Sequence, residues 1–207
     1  MKKIAILGAS GHGGVVADIA QQCGYTDVVF FDDAWPEKKK YKIWEVAGNC
    51  ETLIDELAKF DGCIVAIGDC SIRNDKHHKL KCNGANFATL IHPSAVISKY
   101  ATIGEGSIIC EGAIVKAFST VGSSCIINTS ATIGHDVTVG DCVHVSSGSN
   151  IAGHVIIHDN TWIGIGSSIN QCIEVGANVM VGSGSVVVKN VPGGLTVAGV
   201  PAKPLSK

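Results

Sequence analysis

The residues able to do chemistry in this 207-residue chain fall into two groups. The first is an imidazole beside a carboxylate, His135-Asp136, directly after Gly134. Histidine is the side chain whose proton affinity suits transfer near neutral pH. An adjacent acid can orient the ring and raise its basicity. Such a pair could take a proton from an attacking amine or hydroxyl. The second group is a Gly-rich run, Gly8-Ala9-Ser10-Gly11-His12-Gly13-Gly14, with Asp32-Asp33 and Gly68-Asp69 further on. Backbone N–H groups at the start of a helix can meet a phosphate, helped by the helix dipole. The run reads G-x-x-G-x-G and departs from the plain dinucleotide fingerprint G-x-G-x-x-G.

Alternating elements must position the Gly-rich group. Ile4-Ala5-Ile6-Leu7 is a short β-forming run before the turn, and Val15 to Ala20 has helical spacing after it. Val28-Val29-Phe30-Phe31 and Cys63-Ile64-Val65-Ala66-Ile67 read as two more strands, ending at Asp32-Asp33 and Gly68-Asp69. Asn49 caps a helix through Leu53, Ile54 and Leu57, and Ser71 caps a polar helix to about Cys82. Phe87 to Ile91 reads as a fourth strand. Lys38-Lys39-Lys40 reads as a solvated loop, and His77-His78 as a solvated helix face. The β-α-β-α order favours a small parallel sheet, with ligands outside the C-terminal strand ends.

A different rule holds the His135 group. From Ile91 to Val187 every sixth residue is Ile or Val, seventeen times without insertion. Two residues before each hit the side chain is usually small, as at Ala113, Ser119, Cys125 and Ser149. Gly often follows the hit, as at Gly104, Gly122, Gly134 and Gly164, where it supplies corner angles that side chains would forbid. This is the pattern of a β-solenoid with one short strand and one corner per hexad, three hexads to a triangular coil. His135 follows an inward Ile133, so it sits at a corner and projects outward. His154 and His158 would suggest zinc on a helix, but on a coil their spacing loses that meaning.

Composition supports the division and excludes several classes. Residues 1–90 hold 23 of the 34 charged residues. Only 11 residues are aromatic, so small and β-branched residues must fill the core. A net charge of −2 gives no basic excess for nucleic acid or an anionic membrane surface. No apolar run approaches the length of a membrane helix. The nine Cys form no C-x-x-C pair, and reduced thiols in a cytoplasm are the simplest account.

The hexads resemble those of the hexapeptide-repeat acyltransferases, and Val197 to Leu205 resembles their closing tail. Gly8 to Gly13, Phe30-Phe31-Asp32-Asp33, Ala66-Ile67-Gly68, Ile91-His92-Pro93-Ser94-Ala95, Asn128-Thr129-Ser130 and Ile133-Gly134-His135-Asp136 narrow the likeness. In that order they resemble the sialic-acid-O-acetyltransferase-like sugar-nucleotide N-acetyltransferases, typified by UDP-4-amino-sugar acetyltransferases. The likeness spans essentially the whole chain. It implies an α/β Rossmann-like parallel sheet over residues 1–90, a left-handed parallel β-helix over 91–190 and a tail over 191–207. The implied reaction moves acetyl from acetyl-CoA to the C4 amino group of a nucleotide-linked amino sugar, such as a UDP-4-amino-4,6-dideoxy sugar.

The likeness also implies roles. His135 is the general base and Asp136 its orienting acid, where relatives more often carry Glu. Ser10, Gly11, His12, Asp32, Asp33, Gly68 and Arg73 map to the sugar-nucleotide pocket, with Asn128 near the amino sugar. His144, Ile165, Gly182 and Ser183 map to coenzyme-lining positions, and backbone N–H groups near Gly153 to the oxyanion. It further implies a cytoplasmic homotrimer with active sites between protomers, and no metal. O-acetylation of a sugar is the same-class alternative. A nicotinamide-dependent oxidoreductase using the Gly-rich loop and Asp32 would leave the hexads unexplained. A non-catalytic β-helix would bind no acetyl-CoA.

Overall fold

The structure is a computed structural model that describes residues 2–205. The chain divides into two compact units, one ending at Pro93 and the other beginning at Ser94.

In the first unit a sheet, parallel except for its antiparallel edge hairpin, carries helices α1 (Gly11–Gln22), α2 (Cys50–Glu56) and α3 (Cys70–Cys82). Its strands are β1 (Lys3–Leu7), β2 (Asp27–Phe31), β3 (Lys40–Tyr41), β4 (Trp44–Gly48) and β5 (Gly62–Val65), in the order β3-β4-β2-β1-β5. Apolar β1 is buried in the middle, paired in parallel with β2 and β5. The chain therefore leaves β1 toward opposite neighbours, which opens a crevice at its C-terminal end. Asn49 caps α2, its side chain accepting from the Thr52 N–H at 3.0 Å.

Four readings of this unit are corrected. Asp69, one residue beyond the strand end, caps α3 in place of Ser71, because its carboxylate reaches the Ile72 N–H at 2.9 Å. The expected fourth strand shrinks to a bridge at Phe87 and a two-residue strand at Leu90–Ile91. The loop that includes the three lysines closes into the β3–β4 hairpin, with Tyr41 and Trp44 against Phe30. His77 is buried and stacks on Phe87, ring centroids 4.0 Å apart, so it is no part of a solvated face.

The second unit is a left-handed parallel β-helix. Its three faces are ladders of short strands, paired in parallel with the strand eighteen residues on, as Ile133 with Ile151, until the final coil, where Met180 pairs with Thr196. The first face runs through Thr132–Ile133 and Asn150–Ile151, the second through Thr138–Val139 and Ile156–Ile157, and the third through Ile126–Ile127, His144–Val145 and Trp162–Ile163. The Ile or Val of almost every hexad is buried in one continuous core, joined by the residue two positions before it, small as at Ala113 and Cys125 or branched as at Val137 and Val155. Each such side chain contributes about 1.5–3 kcal/mol by leaving water. The segment expected as a tail continues the helix, since Thr196 and Val197 pair with Met180 and Val181.

Two features of the corners were not legible in the hexad pattern. The glycines after the Ile/Val are required by close approach between coils and not by backbone angle. A Cβ on Gly134 would lie 2.7 Å from the Ala152 carbonyl carbon. The left-handed angle falls three residues after the hit instead, at Phe118 (φ 62°), Asp136 (φ 55°) and His154 (φ 58°) among others. Buried hydroxyls then satisfy the corner backbone. Ser119 Oγ donates to the Gly134 carbonyl at 2.5 Å and accepts from the Val137 N–H at 3.1 Å, bracketing His135-Asp136.

Ile133 is fully buried and Thr138 exposed on neighbouring strands. Ile133→Ala is expected to cost about 2–5 kcal/mol, and Thr138→Ala to stay within about 0.5 kcal/mol, as read by denaturant unfolding.

Candidate active site

The β-helix brings His135 and Asp136 to the corner between its first and second faces. His135 Nδ1 lies 2.7 Å from Asp136 Oδ2. A carboxylate can only accept, so in the neutral ring this contact selects the tautomer with the proton on Nδ1 and the lone pair on Nε2. Both side chains face solvent, at 57% and 41% exposure. The backbone beneath them is fixed by neighbouring coils. Asp136 N–H donates to the Ala117 carbonyl at 3.1 Å, and His154 N–H to the His135 carbonyl at 3.0 Å. The shorter Asp thus still reaches its partner, because the left-handed angle at Asp136 brings the carboxylate back to the ring.

Gly153 belongs to this corner. A Cβ there would sit 2.6 Å from His135 Nε2 and 2.7 Å from Cε1, so the ring lies where a side chain would otherwise be. The feature that requires glycine here is the imidazole over it, and it puts the Gly153 backbone, expected near the oxyanion and the coenzyme, beside His135. His154 was missed as a neighbour. Its Nε2 is 3.8 Å from Asp136 Oδ2, and its ring is edge-to-face with His135 at 5.2 Å. The signal that could have found it is position: 154 lies one coil beyond 136.

A groove of about 330 Å³ runs along the third face and the corner after it. It brings together five expected residues: Asn128, His144, Ile165, Gly182 and Ser183. His144 is nearly buried, with Nε2 3.3 Å from Asn128 Nδ2, and its ring packs on Trp162 at 4.5 Å. Trp162 Nε1 donates to Ser146 Oγ at 2.8 Å. Trp162, Ser146 and Met180 were not anticipated, because the outward residue of a hexad follows no repeat. The groove and the His135 corner stand on different edges of the prism, with the whole first face between them.

In the first unit a cavity of about 300 Å³ opens at the C-terminal ends of β1, β2 and β5. It is lined by Ser10, Asp32, Asp33 and Gly68 from the expected set, and by Ile72 and Lys76, which were not expected. The turn above it needs glycine twice. Gly8 has φ 115°, and a Cβ on Gly13 would fall 2.1 Å from the Gly8 carbonyl oxygen. Both aspartates are heavily engaged. Asp32 accepts from Ala9 N–H at 2.8 Å, from Ala34 N–H at 3.0 Å and from Lys38 at 3.1 Å, so it ties the turn to β2. This also corrects Lys38 as a purely solvated residue. Asp33 accepts from the Cys50 N–H at 3.0 Å and pairs with Lys76.

Burial opposes ionisation of both aspartates, but these donors outweigh it and hold each carboxyl below its usual range. Gly11, His12 and Arg73 are not among the lining residues. Arg73 is wholly buried, donating to the Ile67 and Gly68 carbonyls at 2.8 Å each. It holds the β5 end in place, which corrects its assignment as a pocket residue. His12 stands in the first turn of α1, and its pKa is lowered from 6.5 to about 4, by burial first and then by the Arg73 charge.

Comparison with known proteins places this architecture in a class. Residues 3–80 match the PglD N-terminal domain family, and residues 154–189 the bacterial transferase hexapeptide family. The acetyltransferase domain of PglB from Neisseria gonorrhoeae, solved with acetyl coenzyme A, is 37% identical over 99% of both chains, with a TM-score of 0.93. PerB from Caulobacter crescentus, solved with CoA and GDP-perosamine, is 31% identical over 100% of this chain and 98% of its own, with a TM-score of 0.94. The UDP-N-acetylbacillosamine N-acetyltransferase of Bacillus subtilis is 36% identical over 111 residues, and that alignment spans about half the length of each protein (53% and 51%). A Rossmann-like unit followed by a hexapeptide β-helix with an outward imidazole–carboxylate pair defines a hexapeptide-repeat acyltransferase. The chain belongs to the sugar-nucleotide N-acetyltransferase family with a PglD-type N-terminal domain.

The His12 shift has a pH consequence. Between pH 6.5 and about 4 the unfolded chain binds a proton at this residue that the folded chain does not, so stability falls as pH drops through that window. His12→Asn, which cannot ionise, is expected to flatten that part of the curve, read from denaturant midpoints between pH 7 and about 4.

Proposed function

We propose that the protein transfers acetyl from acetyl-CoA to the C4 amino group of a nucleotide-linked amino sugar. One observation carries the reading: an outward His135 whose Nδ1 is held by Asp136 at 2.7 Å, leaving Nε2 as a base at a β-helix corner. Nε2 takes a proton from the amine as its nitrogen attacks the thioester carbonyl. The tetrahedral oxyanion then collapses, the C–S bond breaks, and the proton passes to the departing thiolate. The groove supports the coenzyme assignment. Its floor of Trp162, Met180 and Ile165, with Gly164 and Gly182 between, suits a slender apolar chain such as the pantetheine arm. Asn128 and His144 stand as polar groups at its inner end.

The nucleotide fits the cavity of the first unit. A phosphate there would meet the N-terminus of α1, which opens at Gly11. Ser10 and Lys76 offer direct contacts, while Asp32 and Arg73 hold the walls. The two relatives solved with ligands, PglB with acetyl coenzyme A and PerB with CoA and GDP-perosamine, agree with the two substrate classes.

The base and the groove occupy different edges of one prism, so we infer that the working site joins His135 of one copy to the groove of the next. Three copies close such an arrangement into a ring. No described helix is long and apolar enough to cross a membrane. A cytoplasmic location accords with nine free cysteines.

The test is release of CoA thiol from acetyl-CoA with UDP- and GDP-linked 4-amino sugars and with their hydroxyl counterparts. The amine acceptor is expected to turn over and the hydroxyl not. His135→Ala should lower kcat/KM at least about a hundredfold, the size of a general-base contribution. A near-normal rate in that variant overturns the assignment.

A further inference from the structure

We propose that His135, Asp136 and His154 form a binding site for a borderline divalent transition-metal ion such as Zn²⁺, and that the bound ion shuts off the base. The second half rests on the reading of His135 as the base; the ion site itself does not.

The argument is geometric. Each of the three residues offers one ligand atom, and these atoms all lie within 4.8 Å of one another. They come from two successive coils whose backbones are joined, His154 N–H donating to the His135 carbonyl at 3.0 Å. Asp136 and His154 share the same left-handed position, one coil apart. Gly153 leaves the space in which the His135 ring lies beside His154, the two rings edge-to-face. All three side chains are exposed, so an ion reaches them from solvent and side-chain rotation alone can close them around it.

The donor set selects the ion. Two imidazoles and one carboxylate suit Zn²⁺, Ni²⁺ or Cu²⁺. One carboxylate offers too few hard oxygens for Ca²⁺, and Mg²⁺ keeps most of its water. Zinc's usual four positions would be three protein ligands and one water. Other exposed donor pairs are poorer. His158 and Glu174, 2.7 Å apart, supply one imidazole and one carboxylate, and His78 stands 3.8 Å from the Cys82 thiol.

Occupancy stops proton transfer by either route. An ion on His135 Nε2 takes the lone pair that would accept the amine proton. An ion on Nδ1 takes the lone pair of the other tautomer, so the ring proton sits on Nε2, which can no longer accept from the amine, and the hydrogen bond to Asp136 ends. Nothing is oxidised or reduced, and a chelator reverses the change.

The experiment titrates Co²⁺ into untagged, metal-stripped full-length protein. The result expected is one equivalent per chain, with visible d–d bands, no thiolate charge-transfer band, and displacement by Zn²⁺. His154→Asn should weaken binding at least about tenfold. Zn²⁺ should inhibit acetyl transfer by the unsubstituted enzyme, EDTA should restore it, and His154→Asn should need correspondingly more Zn²⁺. Equal Co²⁺ affinity in His154→Asn overturns the site, as does a thiolate band that places the ion on Cys82 or Cys172. Binding lost in His154→Asn, with no Zn²⁺ inhibition of the unsubstituted enzyme, would uphold the ion site and overturn His135 as the base.

Discussion

Parallel pairing at a fixed separation of eighteen residues is the constraint on which the β-helix depends. Each coil's strand N–H groups donate to the coil after it, as Gly134 N–H does to the Ile151 carbonyl at 2.8 Å. An insertion of one residue would turn every later Ile or Val from the core to solvent. With the register kept, residues eighteen apart become rungs of one ladder. Asp136 and His154 are such rungs, and so are His144 and Trp162. The site's contacts are consequences of that count: the imidazole rests over the glycine of the next coil, and the indole packs on the histidine of the coil before.

The corners place chemistry where the core cannot. A residue at a left-handed angle costs about 1–2 kcal/mol if it is not glycine. The β-helix accepts that cost at Asp136 and His154 because hydrogen bonds to adjacent coils hold each turn on both sides. Ser119 adds a buried hydroxyl that satisfies Gly134 and Val137 together. The pair therefore stands on a scaffold held by hydrogen bonds between coils, which lets two exposed side chains keep the geometry that the proposed base needs. In the first unit the same work falls to charged side chains: buried Arg73 holds the Ile67 and Gly68 carbonyls, and half-buried Asp32 holds Ala9.

Much of this was legible in the sequence. The unbroken hexads fix the core of the second unit. His135-Asp136 stands out beside them because so few charged residues share that half and this His has an acid next to it. The strand ends at Gly8, Asp32 and Gly68 located the first unit's cavity. What stayed hidden depends on contacts that have no period. The His135–Gly153 approach is a side chain against a backbone one coil away. Arg73 reads as a binding cation until its guanidinium is seen turned onto two carbonyls. His77 reads as polar surface until Phe87 stacks on it, and the β3–β4 hairpin joins the sheet through β4 beside β2, with Tyr41 and Trp44 against Phe30.

The central claim is that base and coenzyme groove stand on different edges of each chain and meet only between copies. Complementation tests it most directly. His135→Ala removes the base, and Ser183→Trp fills the groove at an exposed position. Each variant alone should be inactive. Oligomers reassembled from equal amounts of the two should recover about a quarter of the unsubstituted activity, the share of junctions where an intact base faces an intact groove. Activity that stays at the level of the separate variants would contradict the account.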